Sequence, residues 1–275
     1  LLAYAETLCS SESDSVALQI SVVDSRILRD HLSNDIREVA LALEYCGHVD
    51  VVNGDTNWCS DPTTHEAVQG WPEYESPNRS FDTPEVLERI ATPSRIRQSL
   101  SLVSNVELGS TNSQADLELL RGSIVIHGNF SSNQLSRGNL ADWVDALRNF
   151  VRCYPDEQLL VVGHDGVRLP KGMGKGVTVA AHIGLPLSVQ LSSILRAKAF
   201  VGLSSGPSTA AILSETPYTI FKHPQHHAVD MERVLGSSRH FSFAREDQEY
   251  LRTYPSAEMI FDALVSKLQG GQRNP

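Results

Sequence analysis

The sequence lacks any long apolar segment, any paired cysteine pattern and, in its first 120 residues, any lysine. No apolar run approaches the roughly 18 residues of a membrane-spanning helix, so no transmembrane segment is predicted. The four cysteines form no C-x-x-C pair, which argues against a structural zinc site and a disulfide framework. Cys9, Cys46 and Cys153 fall in predicted helices, where buried thiols are common. A reducing, cytoplasmic compartment is therefore expected.

Charge is divided unevenly along the 275 residues. Residues 1–120 contain 7 arginines and 20 acidic residues, a balance of -13, whereas residues 121–275 contain 16 basic and 13 acidic residues, a balance of +3. The shift indicates two domains, 1–120 and 121–275. It reflects either ordinary drift between domains or anion binding by the second one. An acidic chain with no basic cluster is not expected to bind nucleic acid.

The first half alternates strand and helix signals. Ala17–Val23 is rich in β-branched residues and predicts a strand, residues 36–43 carry a helical apolar stripe, and Val49–Val52 predicts a second strand. A strand–helix–strand unit is typical of a parallel sheet. Asp24 and Asp55 follow the two strands at their carboxyl ends, where ligands of open α/β sheets bind, so both are candidate catalytic carboxylates.

The second half repeats this alternation. Helices are predicted at Leu140–Val151, Ser188–Arg196 and Ser208–Leu213, with a last one capped by Ser256. Strands are predicted at Ser123–His127, Leu159–Val162, Val177–Ala180, Ala199–Gly202, Tyr218–Phe221 and Arg239–Phe243. The expected fold class is α/β, with two Rossmann-like domains facing a central cleft.

Polar residues follow several of these strands and are candidate ligand contacts. The segment H-P-Q-H-H-A-V-D after Phe221 has spacing that could hold a metal, but Pro224 disfavours a regular helix there, so a ligand contact by His223 is preferred. The other candidates at or after strand ends are His127, Asn129, Gly163 and His164.

The most informative turn is S-S-G-P-S-T at residues 204–209, which joins a predicted strand to a predicted helix. Pro207 suits the first helical position because its missing donor would be unpaired there. Helix amino termini attract phosphate through free N–H groups and the helix dipole. Gly206 allows close approach of an oxyanion, and the predicted phosphate contacts are Ser204, Ser205, Gly206, Pro207, Ser208 and Thr209.

The run R-A-K-A-F-V-G-L-S-S-G-P-S-T-A-A followed by P-Y-T-I-F resembles the nucleotide-binding half of GT-B glycosyltransferases, and within them the heptosyltransferase-like enzymes of bacterial surface polysaccharides. The resemblance covers about Ile124–Phe221. It implies transfer of a sugar from a nucleotide-diphosphate sugar to a glycan or other hydroxyl acceptor. The resembling enzymes usually carry an acid at the position of Ser204 and a histidine at that of Thr209. Their catalytic base lies in a glycine-rich turn before the first helix, and the sequence begins within such a helix.

No D-x-D sequence occurs anywhere in the chain. Metal-dependent glycosyltransferases of the other common fold use these carboxylates to hold a cation, so no metal or other cofactor is expected here. Charge on the diphosphate would then be balanced by hydroxyls, a helix dipole and cations. Arg137, Lys171 and Lys175 are the candidate cations, although for any one of them a solvated surface charge is the more common role.

Two alternatives compete with a transferase. Gly202–Gly206 matches G-x-S-x-G, the nucleophile-elbow pattern of α/β hydrolases, with Asp230 and His240 following Ser204 in the hydrolase order. Pro207 and the little sheet that remains after Ser204 argue against it. A non-catalytic sugar-nucleotide-binding subunit is the other alternative.

Overall fold

The computed structural model describes residues 16–22, 46–53, 122–128, 140–163, 169–170, 172–185, 187–212, 214–225, 228–241 and 243–270. Its contacts group into two compact units, Leu1–Val106 and Glu107–Pro275. Residues 1–120 are predicted to bind the acceptor and residues 121–275 the nucleotide sugar, and this assignment stays a prediction.

The described part of the first unit is a pair of parallel strands. Strand β1, Val16–Val22, pairs with β2, Cys46–Asn53, with Leu18 opposite Val49. Parallel pairing is what the strand–helix–strand pattern predicts. Strand β1 begins and ends one residue before the predicted Ala17–Val23, whereas β2 extends beyond the predicted Val49–Val52 at both ends and includes Cys46, which was predicted to be helical.

The second unit is built on six parallel strands. They are β3, Ile124–His127; β4, Leu159–Val161; β5, Val177–Val179; β6, Ala199–Leu203; β7, Tyr218–Phe221; and β8, Gln248–Leu251. Their spatial order is β5-β4-β3-β6-β7-β8, and every neighbouring pair is parallel. The chain therefore winds outward from β3 in one direction and from β6 in the other. This is the strand order of doubly wound nucleotide-binding sheets, and the expected α/β class is confirmed.

Helices connect these strands. They are α1, Leu140–Cys153; α2, Leu187–Arg196; α3, Gly206–Ile212; α4, Ala228–Leu235; and α5, Ala257–Gly270. Helices α1 and α5 pack against each other and cover one face of the sheet, because both carry apolar residues at helical spacing. The core there includes Trp143, Leu147, Phe150, Ile260 and Leu264, all fully buried. As predicted, Ser256 caps α5: its Oγ accepts a hydrogen bond from the Met259 N–H at 3.3 Å.

The last strand was placed wrongly by the sequence pattern. Residues 239–241 and 243 are not in a strand; β8 lies at Gln248–Leu251 instead. Phe241 is buried because its ring packs on Tyr250. Gln248 is buried because its amide nitrogen donates to the carbonyls of Ser214 at 2.8 Å and Thr216 at 2.9 Å. Gln248 can be buried because its amide group is hydrogen bonded to these carbonyls, which are more than thirty residues away along the chain. The periodicity of apolar residues in a strand does not reveal such contacts. Cys153, expected to be buried, is exposed at the end of α1.

Candidate functional site

The carboxyl edge of the six-stranded sheet brings several predicted residues together. His127, the last residue of β3, pairs with Gly202 of β6, and Ser204 follows β6 on the same edge. From β3 the chain continues to β4 in one direction along the sheet, and from β6 it continues to β7 in the other direction. A crevice forms at such a reversal of strand order, and ligands of open α/β sheets bind in it.

The turn after β6 is held by hydrogen bonds of its own. The Ser204 N–H donates to the Phe221 carbonyl at 2.8 Å, which ties the turn to β7. The Ser208 hydroxyl donates to the Ser205 carbonyl at 2.7 Å and accepts the Ser205 N–H at 2.9 Å. The Ser205 hydroxyl donates to the Leu203 carbonyl at 3.3 Å. Ser208, which was predicted to donate to a phosphate, therefore has its hydroxyl hydrogen bonded within the turn and shapes the turn instead.

Helix α3 begins at Gly206, one residue before the predicted Pro207. Gly206 is exposed, and a Cβ built there would meet nothing within 4 Å. The turn therefore presents its backbone to the outside at this point. Thr209 lies one turn further along α3 and is half-buried. Gly202 is the opposite case, since a Cβ there would lie 2.6 Å from the His127 carbonyl oxygen.

His127 is fixed at the edge by its neighbours. Its Nδ1 lies 3.1 Å from the Val162 carbonyl, and because a carbonyl only accepts, Nδ1 carries the proton and Nε2 is the acceptor of the neutral ring. The imidazole packs against Gly163, where a Cβ would lie 2.8 Å from the ring. Gly163 has a φ of 104°, a value that favours glycine. The predicted pair His127 and Gly163 is thus one packed unit.

Sequence reasoning missed Gln190 of α2, which supports this unit. Its Oε1 accepts the Gly163 N–H at 2.7 Å, and its Nε2 donates to the Leu185 carbonyl at 2.8 Å. Gln190 is 3% exposed. A glutamine between Val189 and Leu191 in an otherwise ordinary helix gives no local signal of burial.

It also missed a lysine and a tyrosine at the ends of β7 and β8. The Lys222 Nζ lies 3.5 Å from the Ser204 Oγ, and the Tyr250 hydroxyl donates to that Oγ at 2.8 Å. Lys222 is 3% exposed and Tyr250 is buried. His223, the predicted contact beside Lys222, is half-buried and packs edge-to-face on exposed Tyr254, with 5.7 Å between ring centroids.

The other predicted residues fall elsewhere. Lys175 lies two residues before the start of β5 and is therefore at the amino edge, away from the turn. Within the described ranges no group of three or more histidine, cysteine or acidic residues forms a metal site, and no helix is long and apolar enough to cross a bilayer. Outside the described residues lie Asp24, Asp55, Asn129, Arg137, His164 and Lys171.

His240, the histidine that the hydrolase alternative requires, lies far from Ser204. The His240 Nδ1 lies 2.9 Å from the carbonyl of Gln248, the first residue of β8. Gln248 is in register with Tyr218, which is in register with Phe200, four residues before Ser204. At about 3.3 Å per residue, His240 is anchored roughly 13 Å away from Ser204 along the strand direction.

Two groups with shifted pKa values, Lys267 and Tyr218, lie at the amino edge of the sheet. Lys267 of α5 is 6% exposed, donates to the Asp247 carbonyl at 2.7 Å and lies 3.7 Å from the Glu249 carboxylate. Burial lowers the pKa of Lys267, and the two carboxylates oppose that shift only in part. Burial, followed by the charge of Asp247, raises the pKa of Tyr218. Both groups lie at the edge of the sheet opposite to the Ser204–Gly206 turn, so we interpret them as structural.

No protein-family model matches the sequence, and no curated protein matches it. Among solved structures, the chain is similar to the E. coli heptosyltransferase WaaC with ADP, with 11% identity, a TM-score of 0.47 and coverage of 98% of this chain and 94% of that one. It is also similar to a glycosyl transferase of family 9 from Veillonella parvula, with 11% identity, a TM-score of 0.42 and coverage of 94% and 99%. Both scores are too low to carry an argument about function.

Proposed function

We propose that the chain is a GT-B-type glycosyltransferase that moves a sugar from a nucleotide-diphosphate sugar to an acceptor hydroxyl. The observation that supports this most is the position of the Ser204–Gly206 turn. It follows β6 at the carboxyl edge, next to the reversal of strand order, and exposes a glycine where a diphosphate could approach the backbone. The sequence resemblance of this segment to nucleotide-sugar enzymes points to the same ligand.

The donor side is proposed to lie on the second unit. The amides of Gly206 and Ser208 belong to the first turn of α3, which leaves them without partners inside the helix. Together with the Thr209 hydroxyl they would bind the phosphates. His127 lies on the neighbouring strand with its Nε2 as an acceptor, which suits a hydroxyl of the sugar or ribose. Asn129, Arg137, His164 and His223 are proposed as further contacts.

The acceptor side and the catalytic base are proposed to lie on the first unit. Asp24 and Asp55 are the proposed carboxylates. In the reaction the acceptor oxygen bonds to the anomeric carbon, the carbon–oxygen bond to the diphosphate breaks, and its electron pair leaves with the nucleoside diphosphate. A carboxylate takes the acceptor proton. The hydrogen-bond donors of the turn stabilise the charge that develops on the leaving diphosphate. Because the sequence contains no D-x-D, we propose that the site is metal-independent.

The test is a turnover screen of the intact chain. UDP-, GDP-, ADP- and CMP-sugars are incubated with pooled glycan acceptors, with and without a metal chelator, and release of the free nucleotide is measured. We expect one nucleotide sugar to be consumed equally in both conditions. A fluorophosphonate probe added in parallel should leave Ser204 unlabelled. If no donor releases its nucleotide and the probe labels Ser204, the transferase is refuted and the hydrolase alternative is supported.

A further inference from the structure

An exposed aromatic ring lies at the carboxyl edge of the sheet, in the segment that follows β8. Among the described residues, the large apolar side chains that are exposed are Ile183, at 53%, and Tyr254, at 41%. Both follow strands at this edge, since β5 ends at Val179 and β8 ends at Leu251. The exposed large apolar side chains of the described residues therefore lie at the edge where ligands of open α/β sheets bind.

The backbone that carries Tyr254 is held by the two residues before it. The Thr253 N–H donates to the Leu251 carbonyl at 2.9 Å, which makes a tight turn directly after β8. The Arg252 guanidinium pairs with the Glu232 carboxylate of α4. A tyrosine has only two side-chain torsions, so a ring on a fixed backbone loses little conformational entropy when a ligand packs on it.

The ring of His223, in the segment after β7, contacts the Tyr254 ring. The two rings are nearly perpendicular, at 83°, with 5.7 Å between their centroids, which is a favourable edge-to-face arrangement. The His223 Nδ1 accepts the Gln225 N–H at 3.3 Å, so the hydrogen of the neutral ring lies on Nε2, which is a donor. The pair therefore presents an exposed aromatic ring beside a hydrogen-bond donor.

This combination of groups suits a sugar. One face of a pyranose consists of C–H groups that pack on an aromatic ring, and its rim consists of hydroxyl groups that need hydrogen-bond partners. Small-molecule sites combine aromatic side chains with a few placed polar groups in this way. A nucleobase also stacks on an aromatic ring, so the position of the pair has to separate the two parts of a nucleotide sugar.

The pair lies on one side of the Ser204–Gly206 turn, and His127 lies on the other. Strands β6, β7 and β8 end in register, so His223 is one strand and Tyr254 two strands away from the turn, about 5 and 10 Å along the sheet. His127, on β3, is only 8% exposed. A nucleotide sugar held by its diphosphate at the turn extends in both directions. Its sugar has to remain accessible to the acceptor, which favours the exposed side, whereas the nucleoside suits the buried side.

We infer that His223 and Tyr254 form a subsite for the transferred sugar; this rests on the proposed function. The Tyr254 ring packs on the C–H face of the sugar, and the His223 Nε2 donates to one of its hydroxyls. The pair acts on the sugar and leaves the binding of the nucleoside diphosphate to the turn. Sequence reasoning named His223 as a ligand contact but did not name Tyr254, because the two rings meet only in the folded chain.

Tyr154 provides a matched control. It is a partly buried tyrosine of the same unit, and its ring packs on the Phe150 ring with centroids 4.9 Å apart. It follows α1 and precedes β4, so it lies at the amino edge. Tyr254→Ala and Tyr154→Ala each remove one phenol ring from an aromatic pair, but only the first removes a ring from the carboxyl edge. Tyr254→Phe keeps the ring and removes only the hydroxyl.

The experiment is calorimetric titration of the wild type and these three variants with UDP-glucose, GDP-mannose and ADP-glucose, each next to its free diphosphate, together with thermal melts. For the nucleotide that the wild type binds, we expect Tyr254→Ala to weaken nucleotide sugar binding about five- to tenfold, through the loss of one aromatic contact. Affinity for the free diphosphate should change less than about twofold. Tyr254→Phe should keep the affinity for the nucleotide sugar within about twofold of the wild type. Tyr154→Ala should lower the melting temperature and leave both affinities unchanged.

The other outcomes separate this subsite from the proposed function. If Tyr254→Ala loses affinity equally for the nucleotide sugar and the free diphosphate, or for neither, the subsite is refuted while the proposed function stands. Binding of a free diphosphate by the wild type without binding of any of the three nucleotide sugars also refutes the subsite. If the wild type binds neither form of any nucleotide, the proposed function fails, and the subsite fails with it. If Tyr254→Ala does not fold, His223→Ala decides: a loss confined to the nucleotide sugar supports the subsite, and unchanged affinities overturn it.

Discussion

The two edges of the six-stranded sheet each hold a buried lysine, and the two lysines differ in their surroundings. At the amino edge, Lys267 meets the Asp247 carbonyl and the Glu249 carboxylate, which are acceptors. At the carboxyl edge, Lys222 meets the Ser204 hydroxyl, which also receives the Tyr250 hydroxyl. Burial is nearly equal, at 6% and 3% exposed. The two lysines are therefore matched in burial and differ in the contacts that they make at their own edge of the sheet.

The same contrast holds for the backbone. At the carboxyl edge, the turn after β6 exposes Gly206 at the start of a helix. At the amino edge, the N–H of Tyr218, the first residue of β7, donates to the Asp247 carbonyl at 3.2 Å. The account therefore predicts that matched changes at the two edges separate ligand binding from stability.

The largest difference is expected between two glycines. A Cβ at Gly206 or at Gly122 meets nothing within 4 Å, but Gly206 lies at the carboxyl edge and Gly122 precedes β3 at the amino edge. Gly206→Val should weaken nucleoside diphosphate binding by more than about a hundredfold, because a branched side chain fills the space of a phosphate oxygen. Gly122→Val should leave the affinity within about twofold. Calorimetry beside thermal melts measures both. Equal affinities with normal melts would show that the turn is only a structural corner.

Two buried glutamines provide the next comparison. Gln190 bridges Gly163 and Leu185 at the carboxyl edge, and Gln248 bridges Arg245, Ser214 and Thr216 at the amino edge. Each change to leucine leaves at least two buried backbone groups unpaired, so both should lower the free energy of unfolding by about 2–4 kcal/mol. Only Gln190→Leu should also lower the affinity for the nucleoside diphosphate, because it removes the hydrogen bond that holds Gly163 beside His127. Urea melts and calorimetry test this. A ligand effect of Gln248→Leu as large as that of Gln190→Leu would contradict the division between the edges.

A smaller effect is expected from pH and Lys267. Burial lowers its pKa below the usual 10.5, so within the window between the folded value and 10.5 the unfolded chain holds a proton that the folded chain has released. The contribution of Lys267 to the free energy of unfolding therefore rises with pH through that window. Subtracting the melting curve of Lys267→Met from that of the wild type at a series of alkaline pH values should reveal this rise. A difference that stays flat or falls would show that the lysine is not destabilised by burial.

The smallest effect is expected for Tyr218→Phe. The Tyr218 hydroxyl is buried and has no hydrogen-bond partner among the described residues. Removing it should change the free energy of unfolding by no more than about 1 kcal/mol, and in the stabilising direction, because no bond is lost. Denaturant titration at neutral pH measures this. A loss above that value would mean that the hydroxyl has a partner.

Sequence patterns predicted most of the sheet that the structure describes in the second unit. Strands β3 to β7 were placed to within one residue at each end, since buried β-branched runs flanked by glycine, proline or polar turns leave few other structures. Strand β8 was missed because Q-E-Y-L has no apolar alternation; Gln248 is tolerated inside only through its bonds to Ser214 and Thr216.

The candidate site was predicted in part for a related reason. His127, Gly163 and the turn could be named because they follow predicted strands, and strand ends converge at one edge of a parallel sheet. Gln190, Lys222 and Tyr250 could not, because their significance lies in contacts with residues 27, 18 and 46 positions away along the chain. Lys222 in particular reads as a surface residue at the end of a strand until Ser204 is placed beside it.

The most direct test of the account is the affinity of the intact wild-type chain for ADP, UDP, GDP and CDP, compared in each case with the matching nucleoside. Calorimetry at low and at moderate ionic strength is the measurement. We predict that one diphosphate binds at least about a hundredfold more tightly than its nucleoside, and that this ratio falls as salt rises, because the phosphates carry the interaction. Equal affinity for a diphosphate and its nucleoside, or no binding of either, would contradict a phosphate site at the carboxyl edge.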